Sequence, residues 1–414
     1  MVRRGTGPQH RPPMHRRLTV ASVVLVLSLA ACAGSPAAPA TPGTDATASA
    51  PVSPSASASP RPRPPDLVPP AGTAWFGLNL DWANDSAAAA AERLGAAPSV
   101  WVQFVAFPLD AGGIGNLDAF VEQIAPLGGI GLVTLEPHDG LETVTPEAAR
   151  ELAGVLAEYW DDHGVPTIVR FAHEMNGSWY PWGQQPAAYV EAFRTVAAAV
   201  HEHAPASAMA WAPNEGSGYP FTGGSYAADA GDHPALDTNS DGQITGADDP
   251  YGPYWPGDDA VDWVGMSLYH WGLAYPWGEN ELPADGSFRA LLTGGITGAH
   301  ADQLEIPNFY EIWAEGKDKP MGIFETAALY NPAEPGPDEA ELKTAWWRQA
   351  TDRRIGADFP RLAMVNWFEW RKEEAEVGAV IDWRLTADPE LARALIAEAP
   401  AGWLRFGGIG RPSD

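Results

Sequence analysis

From about residue 72 onward, short apolar runs alternate with longer Ala-rich stretches in which apolar residues recur every three to four positions. Runs that are apolar at consecutive positions suit strands buried on both faces of a parallel sheet, and the stretches between them suit crossover helices. Eight strands are predicted: Trp75–Leu80, Val100–Val105, Gly131–Leu135, Thr167–Phe171, Ala208–Trp211, Val261–Ser267, Met321–Phe324 and Leu362–Trp367. Helices are predicted over Ser86–Leu94, Leu117–Ile124, Pro146–Asp162, Ala187–His203, Pro307–Glu315, Asp338–Arg353 and Asp388–Glu398. The count is that of an α/β fold, a single (β/α)8 barrel, whose active site lies at the C-terminal ends of the strands.

Polar residues gather at those ends. Asp81-Trp82, Glu136-Pro137-His138, His173-Glu174, Asn214, Tyr269-His270-Trp271, Glu325 and Glu369-Trp370 each follow a predicted strand. The densest stretch runs from Arg170 to Gly183, where Glu174 stands among Trp179, Tyr180 and Trp182 with Arg170 and His173 alongside. A carboxyl group in such a setting is poorly solvated, which raises its pKa and makes it a candidate proton donor held by Arg170 and His173. A structural ion pair under an aromatic patch explains the same residues when they are taken alone. Glu325 supplies a second acid at the end of the seventh strand, which closure of the barrel brings toward the fourth. Two carboxyls about 5–5.5 Å apart make a retaining glycosidase, one acting as acid/base and the other as nucleophile. Tyr269 is placed to donate a hydrogen bond to Glu325, and Arg170, Trp182, Asn214, Tyr269, Trp271 and Trp370 are candidate substrate contacts.

Charge and composition narrow the partners. The first 32 residues carry five arginines and no acid ahead of an apolar run from Leu18 to Ala31, too short to remain as a membrane span. Leu29-Ala30-Ala31-Cys32 resembles a lipobox, so residues 1–32 are expected to be a lipoprotein signal with Cys32 lipidated, placing the protein outside the cytoplasm at a bacterial membrane. Met14 is an alternative start. Residues 33–71 are dominated by Ala, Pro, Ser and Thr, a composition that cannot bury enough apolar surface to fold, leaving residues 72–414 as the barrel domain. Without the leader the chain has 20 basic and 53 acidic residues, a net of −33, which argues against nucleic acid or an anionic membrane surface as partner. Membrane contact is expected only through the anchor. Eighteen tryptophans suit a neutral polysaccharide or oligosaccharide, whose rings stack on aromatic faces. A monomer is expected, and no cofactor is needed for catalysis.

Between the fifth and sixth strands an inserted segment, around 232–250, contains Asp237, Asn239, Asp241, Gly242, Gln243 and Asp248 at the spacing of an EF-hand loop, ending in Asp rather than Glu. It is read as one structural Ca²⁺ site; the alternative is an acidic turn that binds nothing.

The chain resembles glycoside hydrolase family 26, the β-mannanase family of the retaining (β/α)8-barrel clan, over most of Gly72 to Gly408. The resemblance rests on the block from Arg170 to Trp182 (RFAHEMNGSWYPW), Trp211-Ala212-Pro213-Asn214, the run from Tyr254 to Gly272 and Glu325 after its strand. It implies that Glu174 is the acid/base, His173 a sugar contact and Glu325 the nucleophile. It also implies that Trp179 and Trp367 line the subsites beside the scissile bond, with His138 in the role of the family's second histidine. The expected activity is an endo-acting hydrolysis of β-1,4-mannan. Mixed-linkage β-glucan and β-1,3-xylan are the alternatives within the family, and a lipid-anchored sugar-binding protein with a two-lobed fold is the alternative outside it.

Overall fold

A computed structural model of the chain describes residues 66–295, 306–399 and 402–409. The leader, Cys32 and most of the linker lie outside them.

Eight parallel strands pair in chain order: β1 (Ala74–Leu80), β2 (Val100–Ala106), β3 (Ile130–Glu136), β4 (Thr167–Phe171), β5 (Ser207–Trp211), β6 (Trp263–Ser267), β7 (Met321–Thr326) and β8 (Leu362–Glu369). β8 returns to β1, in register from Trp75 opposite Met364 to Leu80 opposite Glu369, and closes the barrel. The helices between them are α1 (Ala87–Leu94), α2 (Ala111–Ile124), α3 (Pro146–Glu158), α4 (Pro186–His203), α5 (Ser287–Thr293), α6 (Glu339–Ala350), α7 (Arg353–Asp358) and α8 (Pro389–Glu398). The (β/α)8 architecture read from the sequence is the one observed, and a two-lobed fold is not.

Two apolar clusters explain why the strands read as unbroken runs. One joins strand residues such as Val102, Leu132, Ile168, Ala210, Phe324 and Met364 and fills the barrel. The other joins Val133, Val169, Ile323, Val365 and Trp367 to helix residues such as Leu152, Phe193 and Trp347. Alternate residues of each strand serve the two clusters.

Helix ends follow local capping chemistry. Ser86, Asp110, Thr145 and Asp388 each accept a hydrogen bond from a backbone N–H in the first turn, and Asp338 with Glu341 forms a capping box. α2 starts at Ala111, earlier than predicted, because the Asp110 cap offsets a glycine-rich first turn. The long helix predicted through Arg353 breaks at Thr351, where Asp352 caps α7. Of the Pro307–Glu315 helix only Tyr310–Glu315 is helical, and it is a π-type segment. Helix α3 also widens into a π-type turn over Tyr159–His163. A hairpin of β9 (Arg371–Glu374) and β10 (Ala379–Asp382) follows β8, and β11 (Leu404–Arg405) pairs with the start of β1; neither was predicted. Among the described residues no helix is long and apolar enough to cross a membrane.

Candidate active site

β4 delivers the acid. Arg170 is fully buried and shares the barrel interior with Phe324, over whose ring its guanidinium lies at 5.8 Å. After Phe171 the chain leaves the strand through Ala172 and Glu174, both in the left-handed region at φ 45° and 54°. Side chains adopt that conformation at a cost of about 1–3 kcal/mol each, accepted here where the turn is fixed from several sides. The Glu174 amide donates to the Ala212 carbonyl at 2.8 Å, and Asn176 exchanges hydrogen bonds with the backbone of Asn214 at 2.8 and 2.9 Å. Trp179 Nε1 donates to Glu174 Oε2 at 2.8 Å. Gly177 makes room for that indole, since a Cβ there would come within 2.4 Å of the ring.

β7 delivers the second carboxylate. Ile323 and Phe324 alternate outward and inward as expected, and Thr326 faces the helices, where its hydroxyl accepts from Trp346 Nε1 at 2.8 Å. Between them the pairing with β6 and β8 shifts register, and the irregularity turns Glu325 into the barrel mouth. Arg170 forms an ion pair with Glu325 Oε1 and donates to Ser267 Oγ at 2.7 Å, while the Tyr269 hydroxyl donates to Glu325 Oε2 at 2.6 Å. Arg170 therefore holds Glu325, not Glu174 as the sequence reading had it. Its guanidinium reaches inward across the barrel rather than along its own strand end.

One carboxylate oxygen of Glu174, one of Glu325 and a ring nitrogen of His173 lie within 4.8 Å of one another. Burial, and next the charge of Glu325, push the Glu174 carboxyl up to about 7; Arg170 and the hydrogen bonds from Ser267 and Trp179 act in the opposite direction. Burial, then the Glu325 charge, keeps the Tyr269 phenol well above its ordinary range, so it remains a donor. Burial and the nearby Arg170 charge hold His173 well below the usual imidazole range and hence neutral. The His173 ring packs between Phe104, at 5.3 Å, and Tyr180, at 4.9 Å. Although three ligand-type atoms converge here, the guanidinium on Glu325 already supplies the positive charge a metal would bring.

These groups line a cleft of about 550 Å³. Trp179, Asn214 and Phe221 line the part built by the loops after β4 and β5, and Trp271, Phe368 and Trp370 the part built after β6 and β8. Four predicted contacts are not brought to its walls, the first being Arg170, which is committed to Glu325 and Ser267 beneath the cleft. Trp182 is fully buried beneath Tyr180, stacked at 4.4 Å with Nε1 donating to the His173 carbonyl, so Tyr180 presents the surface instead. Trp367 shares the outward orientation of Val365, packs on Trp347 and donates to the Trp383 carbonyl at 2.8 Å; the next residue, Phe368, lines the cleft. His138 leans over Trp182, and it is Glu136 that lines the cleft. Two-residue alternation along β3 and β8 carries the signal for Glu136 and Phe368. Glu374 is 5% exposed and accepts from Trp383 Nε1 at 2.7 Å, because the unpredicted hairpin folds it inward.

The inserted loop coils around its own carboxylates. Asp237 accepts from the amides of Asp241 and Gly242, and Gly242 takes the left-handed turn, φ 88°, that the sixth position of the pattern requires. Asn239 and Asp241 each accept an amide N–H two residues on, and Gln243 is exposed. Asp248 is 2% exposed, with Oδ1 accepting from Thr238 and Asn239 and Oδ2 from Thr245, which pins the two ends of the loop together. The donor set is all oxygen, as a hard divalent cation requires.

The chain matches the glycosyl hydrolase family 26 model over residues 147–230, the segment containing α3, β4 and the turn bearing Glu174. Endoglucanase H of Acetivibrio thermocellus is 23% identical over 284 residues, which are 66% of this chain and 25% of that protein. The chain thus spans about a quarter of the length of that relative. Among solved structures, a family 26 β-mannanase from Bacteroides ovatus superposes with a TM-score of 0.51 at 15% identity, covering 81% of this chain and 90% of that one. A modular endo-β-1,4-mannanase from Cellulomonas fimi gives 0.50 at 18%, covering 81% and 72%. The segment matched by the family 26 model is the one that carries the turn bearing Glu174, and the barrel around it is the fold of these solved structures.

Proposed function

We propose that the chain is a retaining endo-β-glycanase acting on β-1,4-mannan. The observation that carries this reading is the close pair itself. Glu174 and Glu325 approach to within 4.8 Å between nearest oxygens, the spacing class of double displacement rather than the wider gap that admits water for single displacement. Glu325, its oxygens fixed by Arg170 and Tyr269, attacks the anomeric carbon as the glycosidic C–O bond breaks. Glu174 passes its proton to the leaving oxygen. In the second step Glu174 takes a proton from water, whose oxygen attacks the same carbon and releases Glu325. The pair works without a cofactor. Trp179 both positions the Glu174 carboxyl and offers a stacking face on the leaving-group side.

The similarity to β-mannanases supports mannan first, and the similarity to an endoglucanase supports a β-glucan as the alternative under the same chemistry; mixed-linkage β-glucan and β-1,3-xylan are therefore assayed beside mannan. Reducing-sugar release from the three polymers by wild type and Glu325→Ala tests the reading; no cleavage by wild type, or near-full activity in the variant, overturns it. The Asp237–Asp248 loop is proposed to take one Ca²⁺ through Asp237, Asn239, Asp241, Gln243 and Asp248, which requires a rise in Tm with calcium that EGTA reverses. Cys32 is proposed as the lipidated residue of a monomeric, surface-tethered enzyme, so Cys32→Ala is expected to release it from the membrane fraction.

A further inference from the structure

We infer that Glu136 is a substrate-binding carboxylate, accepting hydrogen bonds from ring hydroxyls of the sugar whose anomeric carbon faces Glu325. The inference rests on the glycosidase reading and adds a recognition element to it.

Ile130 and Leu132 point into the barrel, and the same two-residue period carries Glu136 to the top of that interior layer, on the cleft lining. Its side chain is 17% exposed, and among the described residues its charged partner is His138, at 3.4 Å. That separation is longer than a good charge-assisted hydrogen bond, and the imidazole is itself 52% exposed. Arg170, the cation nearest the catalytic pair, is committed to Glu325 and Ser267. Glu136 is thus a largely desolvated acceptor with one charged partner at a long distance; burial raises its carboxyl against the opposing pull of His138, and the Glu325 charge adds to the rise. Glu136 shares the cleft lining with Glu325, near enough for the Glu325 charge to act on its carboxyl. A pyranose ring held over Glu325 presents adjacent hydroxyls as paired donors, and a carboxylate with two open oxygens matches them.

The test compares wild type, Glu136→Gln and Glu136→Ala on an oligosaccharide, on an activated aryl glycoside with the same glycone, and on aryl glycosides lacking one ring hydroxyl at a time. Tm is read for each protein. Loss of a charge-assisted contact is expected to lower kcat/KM by about 10- to 100-fold for Glu136→Ala on natural and activated substrates alike. A leaving-group contact would spare the activated one. Removing the hydroxyl that Glu136 holds should penalise wild type strongly and Glu136→Ala little. Glu136→Gln keeps the shape and carries the test if the Ala variant does not fold. Variants within about threefold of wild type, or deoxy penalties equal in wild type and variant, overturn the inference alone. A wild type inactive on every β-glycan overturns the glycosidase reading and this inference with it.

Discussion

Replacing Glu174 by Gln should abolish cleavage of natural polymer and, above neutral pH, stabilise the fold. The folded-state carboxyl lies at about 7 against 4.5 for the free side chain, so between those values the native state binds a proton that the unfolded state has released. Wild-type stability therefore falls as pH rises from about 4.5 to about 7, and the full cost is present above 7. A displacement of this size corresponds to about 3 kcal/mol of opposition to folding, set chiefly by burial at 9% exposure and next by the Glu325 charge within 4.8 Å. Gln has nearly the same shape, its carbonyl can still accept from Trp179 Nε1, and it carries no charge. Urea denaturation of wild type and Glu174→Gln at pH 4.5 and pH 8.5 measures the difference. The variant should gain stability over wild type at pH 8.5, up to about 3 kcal/mol, and lose that advantage at pH 4.5. A variant no more stable than wild type at pH 8.5, or one with the same advantage at both pH values, would refute the buried-acid reasoning.

Three further outcomes follow from the geometry. Trp367→Ala opens a hole in the shell beside Trp347 and should cost about 3–5 kcal/mol of stability, whereas Trp370→Ala, on the cleft wall, should leave Tm nearly unchanged and raise KM; urea titration and steady-state kinetics separate them. Tyr269→Phe removes one of the donors fixing Glu325 and should lower kcat by about 10- to 100-fold with little change in far-UV circular dichroism. Arg170→Met leaves Glu325 buried without its cation and should destabilise the fold by about 3–5 kcal/mol at pH 7, read by urea titration.

Most of the barrel was legible because strands buried on both faces announce themselves as unbroken apolar runs, and all eight strand centres are found where those runs lie. The same feature concealed which way each residue points. Trp367 and Phe368 are both large, apolar and adjacent, and only alternation counted from Met364 assigns one to the shell and the other to the cleft. Alternation would have failed for Glu325, where the register shift beside Ser267 reverses it. Glu174 and Glu325 were legible as strand-end acids, yet the partner of Arg170 was not, because a long guanidinium reaches across the mouth to a strand distant in sequence. The hairpin of β9 and β10 was missed because charged Arg371-Lys372-Glu373-Glu374 reads as surface, although Trp383 draws Glu374 inward.

Covalent attachment of the sugar to Glu325 is measured by incubating the protein with a 2-fluoro β-glycosyl fluoride and mapping the label by mass spectrometry of the digest. A single adduct is expected on Glu325, within β7, and none in Glu325→Ala. An adduct on Glu174 or Glu136, or polymer cleavage that gives the inverted anomer with no adduct, would contradict it.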